Sequence, residues 1–362
     1  KKIKFENCVF DSNRVTDNND GGALIITEQA VPSFVGCTFI NNYVLDENYG
    51  RNGGAVKISG ASSTTNLQNT IKFQQCKFIG NYVKAFENAY GGAVYSQRNT
   101  LFENCLFVKN GAIAGFGEAN LNNYKEAQGG AIYSSGGYAQ TGVVTVISNC
   151  TFDWNYLDER TSNGNAYGTD VFYGSGSSNQ SMKAYVFNTI ITGSYRLTAG
   201  ADYSKNEKAK IFFSHNTENK LYVDYSAIEG SVDMPWADDN VFDIIPVYTD
   251  RSNGDYSISN LSPVIGQGTS SFESYSAPSI DILGASRSSS ILDMGAYENS
   301  LASSAGPLPI SEIAGTAKSN SVYLTWPSTK VSLSGTDDAA NIKYLIYEGG
   351  SQIGTSLSTN FT

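Results

Sequence analysis

Two short sequence elements alternate along the first half of the chain, and together they restrict its fold more than anything else in the sequence. The first is Cys-x-Phe followed by Asn. It occurs as Cys8-Val9-Phe10 with Asn13, Cys37-Thr38-Phe39 with Asn42, Cys76-Lys77-Phe78 with Asn81, Cys105-Leu106-Phe107 with Asn110, and Cys150-Thr151-Phe152 with Asn155. The second is Gly-Gly-Ala leading into a β-forming run: Gly21-Gly22-Ala23-Leu24, Gly53-Gly54-Ala55-Val56, Gly91-Gly92-Ala93-Val94 and Gly129-Gly130-Ala131-Ile132. Tyr167-Gly168-Thr169-Asp170-Val171 is a degenerate fifth copy, and Phe187-Asn188-Thr189-Ile190-Ile191 repeats the first element without its cysteine. The Gly-Gly starts lie 32, 38 and 38 residues apart, a period that suits helical or β solenoids.

Composition decides between the two. Good helix formers are sparse in the repeats, whereas Val, Ile, Phe, Tyr, Thr, Gly and Asn dominate. Period-2 alternation shows in Val143-Val144-Thr145-Val146-Ile147 and Ile71-Lys72-Phe73,. The expected fold is therefore all-β: a parallel β-helix in which equivalent residues stack about 4.8 Å apart. Cys and Phe, two residues apart, then both face inward as two core ladders. Asn falls at a turn, where it tolerates the left-handed region and bonds the next coil. Gly-Gly-Ala permits a sharp bend where sheets approach closely. Of 34 Asn, 20 precede residue 156, as turn and ladder positions require.

The alternating Gly-Gly-Ala-(Ile/Leu/Val) and Phe-x-x-Asn elements resemble those of chlamydial polymorphic outer-membrane proteins and of right-handed parallel β-helix surface proteins from Bacteroidetes-type bacteria. The resemblance covers residues 1 to about 200. A second resemblance runs through Pro246-Val247-Tyr248, Gly254-Asp255-Tyr256, Leu261-Ser262-Pro263-Val264-Ile265-Gly266-Gln267-Gly268, Asp281-Ile282-Leu283-Gly284-Ala285-Ser286-Arg287 and Asp293-Met294-Gly295-Ala296-Tyr297-Glu298. It is similar to the choice-of-anchor end of bacterial surface β-helices, which closes the last coils. Ser321-Val322-Tyr323-Leu324-Thr325-Trp326 and Ile342-Lys343-Tyr344-Leu345-Ile346-Tyr347 resemble the B and C strands of a fibronectin type III domain. The domains implied are β-helix repeats over 1–230, closing coils over 231–300, a linker over 301–309, and a truncated fibronectin type III-like module, a small β-sandwich-like fragment, over 310–362. The chain opens inside a repeat and stops inside a strand pattern, so a targeting segment or anchor is expected outside it.

The chain carries a net charge of -10, which excludes a basic nucleic-acid platform. No apolar run reaches the roughly 18 residues of a membrane span. Cys8, Cys37, Cys76, Cys105 and Cys150 stand 29, 39, 29 and 45 residues apart, unlike metal-binding or redox pairs, and are expected as a buried ladder. His215, the single histidine, sits in no motif, so a histidine-dependent nucleophile is not expected. No phosphate-binding glycine loop occurs.

Adjacent carboxylates at Asp46-Glu47, Asp158-Glu159 and Asp238-Asp239 keep a polysaccharide lyase or glycoside hydrolase open. Pectate-lyase-like and polygalacturonase-like motifs are absent, and an anionic protein attracts uronates poorly. The segments between each Asn and the next Gly-Gly-Ala vary in length but keep one composition, so they are expected along one side of a solenoid. They carry Tyr43, Asp46, Glu47, Tyr49, Tyr82, Glu87, Tyr90, Glu118, Tyr124, Glu126, Tyr156, Asp158 and Glu159. Aromatic rings with carboxylates suit neutral sugars, and such carboxylates can hold Ca²⁺, although no cofactor is otherwise expected. The expected function is a non-catalytic exported or cell-surface scaffold of a bacterium, an adhesin or glycan-binding stalk whose partner is a glycan or another surface or secretion component. A groove enzyme, with Arg160, Lys84 or Lys125 beside a carboxylate, and a plain structural spacer remain open alternatives.

Overall fold

The computed structural model describes the chain except for residues 1–2, 17, 28–29, 61–69, 118–123, 137–141, 162–164, 176–181, 199–209, 214–219, 232–233, 235, 238, 305–309, 311–312, 319–320, 327–343, 349–350 and 362. His215, Glu118, Asp238 and most of the expected linker lie outside the described residues. Among those described the chain is all-β without an α-helix, and no helix is long and apolar enough to cross a membrane. It divides into two compact units, Lys1–Ile245 with Gly268–Glu298, and Pro246–Gln267 with Asn299–Thr362.

In the first unit the chain passes through five parallel sheets and repeats the passage tier by tier. The third tier shows the order: Ile71–Gln74, Lys77–Ile79, Tyr82–Ala85, Ala89–Tyr90, then Val94–Ser96. Each strand pairs in register with its equivalents above and below, so Phe78 stands between Phe39 and Phe107. Equivalent residues therefore stack, and side-chain identity repeats down the interior.

Two Phe columns fill the main core. Phe10, Phe39, Phe78, Phe107 and Phe152 stack with ring centroids 4.6 to 4.8 Å apart. Phe5, Phe34, Phe73 and Phe102 stack at 4.7 to 5.2 Å, and the columns meet edge-to-face. Each stacked pair contributes about 0.5–1.5 kcal/mol beyond its burial. The cysteine stands one residue ahead of its strand, yet Cys37, Cys76, Cys105 and Cys150 are buried as free thiols; Cys8 in the first tier is half-buried. Thr189 and Ser226 continue the column: the amides of Cys150 and Thr189 bond their hydroxyls just as Cys105 N bonds Cys150 Sγ.

The repeat asparagines form a third column, but they do not adopt the left-handed conformation expected of them. The residue before each does: Ser12, Asn41, Gly80, Lys109 and Trp154 have φ of 54° to 63°. This frees the asparagine side chain to point inward. Asn81 Nδ2 donates to Asn110 Oδ1 at 3.0 Å and to the Phe39 carbonyl at 2.9 Å, while Asn81 Oδ1 accepts from the backbone and side-chain nitrogens of Asn42. Asn42, Asn81, Asn110 and Asn155 are fully buried and satisfied in this way, as buried amides must be. The degenerate fifth Gly-Gly-Ala copy ends the column. Asp170 replaces the alanine, and its Oδ1 accepts from Asn155 Nδ2 at 2.9 Å and from Ser194 Oγ at 2.7 Å. Burial raises its carboxyl to about 6 against the opposing charge of Lys210.

Gly-Gly-Ala marks the closest approach of two sheets. Gly91 has φ of 68°. A Cβ on Gly92 would lie 2.0 Å from the Gly130 carbonyl oxygen and 2.6 Å from backbone atoms of Gly111. Only glycine fits.

The segment Gly268–Glu298 belongs to the first unit. It runs back along the corner between the first two sheets as a strap. That corner is a second column of left-handed residues, among them Gln75, Asn104, Asn149 and Asn188, with φ of 50° to 56°. Their side chains donate to the strap: Asn188 Nδ2 to Thr269 O, Asn149 Nδ2 to Asp293 O, Asn104 Nδ2 to Ile280 O, and Gln75 Nε2 to Asp281 O. Buried Arg287 grips Asn104 Oδ1 at 2.8 Å, the Gly295 carbonyl at 2.8 Å and Glu298 at 2.7 Å. Asp281 Oδ1 caps the turn at Gly284 through the amides of Leu283 and Ala285. Most of the charged and glycine positions of residues 281–298 thus make one buckle.

The second unit holds small antiparallel sheets. Ala314–Lys318 pairs with Ser321–Thr325, which pairs with Asn360–Phe361; Tyr344–Glu348 pairs with Ser351–Ser356. Trp326 and Tyr344 meet edge-to-face at 5.1 Å in its core.

Candidate functional site

Most of the predicted flank residues lie on or beside the third and fourth sheets, where strand alternation decides what each can do. Successive side chains point to opposite faces. In Tyr43–Asp46 and Tyr156–Glu159 the second and fourth residues are buried, while the tyrosines are half-buried on the outside. The adjacent carboxylates therefore separate. Asp46 faces inward and Glu47, just past the strand, is exposed; Glu159 faces inward, and Asp158, on the opposite face, is buried in a pair with Arg160.

Asp46 is saturated by structure. Its carboxylate accepts from the amides of Asn18, Asn48 and Tyr49 at 2.8 to 3.0 Å and from Arg51 Nε at 2.7 Å. Burial pushes its pKa up, but these donors overcome that and hold it at about 2. The folded pKa lies below the unfolded one, so the stabilisation is present above about pH 4 and is lost as pH falls towards 2. From that depression Asp46→Asn is expected to cost about 2 kcal/mol at neutral pH. Urea midpoints of wild type and variant should converge between pH 4 and 2; a gap independent of pH would remove the ionic account. Glu159 Oε1 accepts from the Thr161 amide at 2.6 Å and from its hydroxyl, and burial raises its pKa.

The outward tyrosines stack. Tyr43 and Tyr82 lie 4.9 Å apart with planes 7° from parallel, and Tyr156 and Tyr195 lie 5.6 Å apart at 12°. Between the pairs, the Tyr156 ring lies over Gly111, where a Cβ would meet it at 2.1 Å. Arg14 stands 5.6 Å over the free side of Tyr43. In such a column each ring covers its neighbour's face, so the interior rings offer edges to solvent.

Tyr90, Tyr124 and Glu126 come together in one network. Glu126 accepts Tyr90 OH at 2.6 Å on one oxygen and Tyr124 OH at 2.7 Å on the other, and Asn165 Nδ2 donates to Tyr124 OH. Burial and the Glu126 carboxylate raise the Tyr90 phenol far above its usual range and Tyr124 to about 12; burial, Tyr195 and Asp158 bring Tyr156 to about 12. All three are neutral donors at physiological pH, the wrong state for a general base. Glu87 and Tyr49 are exposed apart from this network; Arg51 lies 5.6 Å over the Tyr49 ring.

The cations expected of a groove enzyme are engaged with rings and one carboxylate. Arg160 pairs with Asp158 at 2.6 Å. Lys84 sits 3.5 Å over Phe116, and Lys125 lies 5.3 Å over Phe86. Among the described residues no three His, Cys, Asp or Glu side chains gather to hold a metal ion.

Sequence reasoning passed over Trp154 and Tyr195, both exposed on the same flank. Aligning the tiers would have marked Trp154, because the equivalent residues are Ser12, Asn41, Gly80 and Lys109. No protein-family model, curated protein or solved structure matches the chain.

Proposed function

We propose that the first unit is a right-handed parallel β-helix serving as the non-catalytic shaft of an exported or cell-surface bacterial protein, an adhesin-like scaffold whose flank contacts a neutral glycan. The single observation that supports this reading is the dispersal of the flank carboxylates. Asp46 and Glu159 face inward, Glu47 is exposed just past its strand, and Asp158 is buried in a pair with Arg160, whereas glycoside hydrolysis needs two carboxyls facing one bond about 5–9.5 Å apart. The repeated in-register tiers support the solenoid assignment. The strand order Ala314–Lys318, Ser321–Thr325, Asn360–Phe361 around Trp326 supports a fibronectin type III-like beginning in the second unit.

The test is a panel of plant, fungal and bacterial polysaccharides incubated with the intact chain. Binding without new reducing ends or unsaturated products is the expected result. Release of either product from any polysaccharide would overturn the non-catalytic reading.

A further inference from the structure

Four tiers place alanine at the pinch between sheets, and the next two tiers put opposite charges there instead. The amides of Ala23, Ala55 and Ala93 donate to the carbonyls of Ala55, Ala93 and Ala131, the Ala131 amide donates to the Asp170 carbonyl, and the Asp170 amide to the Lys210 carbonyl. Asp170 and Lys210 are therefore the next members of the alanine column, and both are buried. Their tiers stand about 4.8 Å apart. A buried ion pair is often no more stabilising than apolar residues in its place, so packing does not account for the exchange.

The surroundings distinguish the two oxygens of Asp170. Oδ1 accepts from Asn155 Nδ2 at 2.9 Å and from Ser194 Oγ at 2.7 Å, while Oδ2 accepts from the Thr169 hydroxyl at 3.3 Å. Two close donors on Oδ1 stabilise negative charge that develops there, which leaves Oδ2 to carry the proton. Burial raises the carboxyl to about 6, although Lys210, Ser194, Asn155 and Thr169 all pull it down, so some protonated acid is present near neutral pH. Lys210 Nζ is held on the same residue: it donates to the Ser194 carbonyl. It stands 3.5 Å from Glu229 Oε2, an oxygen that also accepts the Gly193 amide at 2.6 Å. An amine, a base, an acyl carbon and donors for its oxygen are gathered around Ser194.

We propose that Lys210 and Asp170 join in an intramolecular isopeptide bond, Nζ to Cγ, that cross-links two adjacent tiers. Glu229 takes one proton from the Lys210 ammonium. The freed lone pair attacks Cγ of the protonated Asp170 carboxyl, and the oxyanion forms on Oδ1 against Asn155 and Ser194. The Cγ–Oδ2 bond then breaks, and the Oδ2 hydroxyl leaves as water with a second proton from Nζ. Amine and acid become amide and water without any oxidation or reduction, and Glu229 passes the first proton to solvent. To reach Cγ, Nζ leaves the Ser194 carbonyl by rotations of the flexible lysine stem. The product keeps its oxygen on Asn155 and Ser194 and removes two buried charges, each costly to keep away from water. The bond is independent of what the flank binds.

The experiment is intact-mass spectrometry of the denatured whole chain, followed by tryptic peptide mapping. The expected result is a mass one water below that of the sequence, with the peptide holding Asp170 joined to the peptide holding Lys210 and no cleavage after Lys210. Asp170→Ala restores the alanine of the earlier tiers, circular dichroism checks its fold, and it should show the full sequence mass. Glu229→Gln should slow bond formation by about a hundredfold, the scale of a lost general base. Folded wild type at the full sequence mass overturns the bond. A water loss that persists in Asp170→Ala, or that maps to another pair of peptides, overturns its assignment. Formation in Glu229→Gln at the wild-type rate overturns the role of Glu229 as the base.

Discussion

Replacing Gly92 with alanine is expected to abolish the folded first unit or cost more than about 5 kcal/mol, beyond the usual 1–3 kcal/mol of overpacking. The added methyl would stand 2.0 Å from the Gly130 carbonyl oxygen and 2.6 Å from backbone atoms of Gly111. None of these is a side chain that can swing away. Relief requires moving the third sheet or the next Gly-Gly-Ala, and each is tied in register to tiers above and below. Gly117→Ala is the matched control. That glycine has φ of 80° with open space around its Cβ position, so it should cost only the left-handed penalty of about 1–2 kcal/mol. Soluble yield and urea midpoints by circular dichroism separate the two. A Gly92→Ala protein as stable as the control would mean that the sheets are not so close.

The second large effect is expected at Asn110→Ala. The substitution deletes the bonds from Asn110 Nδ2 to Phe78 O and Asn155 Oδ1, and those from Asn81 N and Nδ2 to Asn110 Oδ1, all 2.9 to 3.0 Å and buried. Groups in two neighbouring tiers lose partners out of reach of water. At about 1–3 kcal/mol for each such group, a loss of about 4 kcal/mol or more follows. Asn13→Ala removes the exposed first member, whose side chain makes only the bond to Asn42, and should cost under about 1 kcal/mol. Equal urea midpoints for the two variants would show that the column contributes no more than isolated surface amides.

Much of this was legible in the sequence because stacked tiers repeat their requirements. The buried Cys and Phe columns, the inward Asn and the pinched Gly-Gly-Ala recur at fixed order, and register turns recurrence into contact. The asparagines advertise turn tolerance, however, while the tolerance is needed one residue earlier. Self-comparison finds a recurrent residue more readily than a recurrent conformation, since Ser12, Asn41, Gly80, Lys109 and Trp154 share φ but not identity. The flank was legible as a composition and illegible as a geometry. Asp46 and Glu47 look equivalent until the strand turns Asp46 inward and ends, leaving Glu47 exposed. The strap was hidden for another reason: its partners, Gln75, Asn104, Asn149 and Asn188, lie up to 206 residues away.

That strap changes how the stack can come apart. Tiers held only by their neighbours would peel in sequence, each departure loading the next rung alone, as teeth leave a zipper. Here the strand ending at Phe187 is followed by Asn188, bonded to Thr269, and the same segment continues to Asn149, Asn104 and Gln75. A pull on the tier of Asn188 is therefore shared among four tiers at once. The segment acts as a tendon laid along the shaft, and it converts serial unzipping into a load carried in parallel.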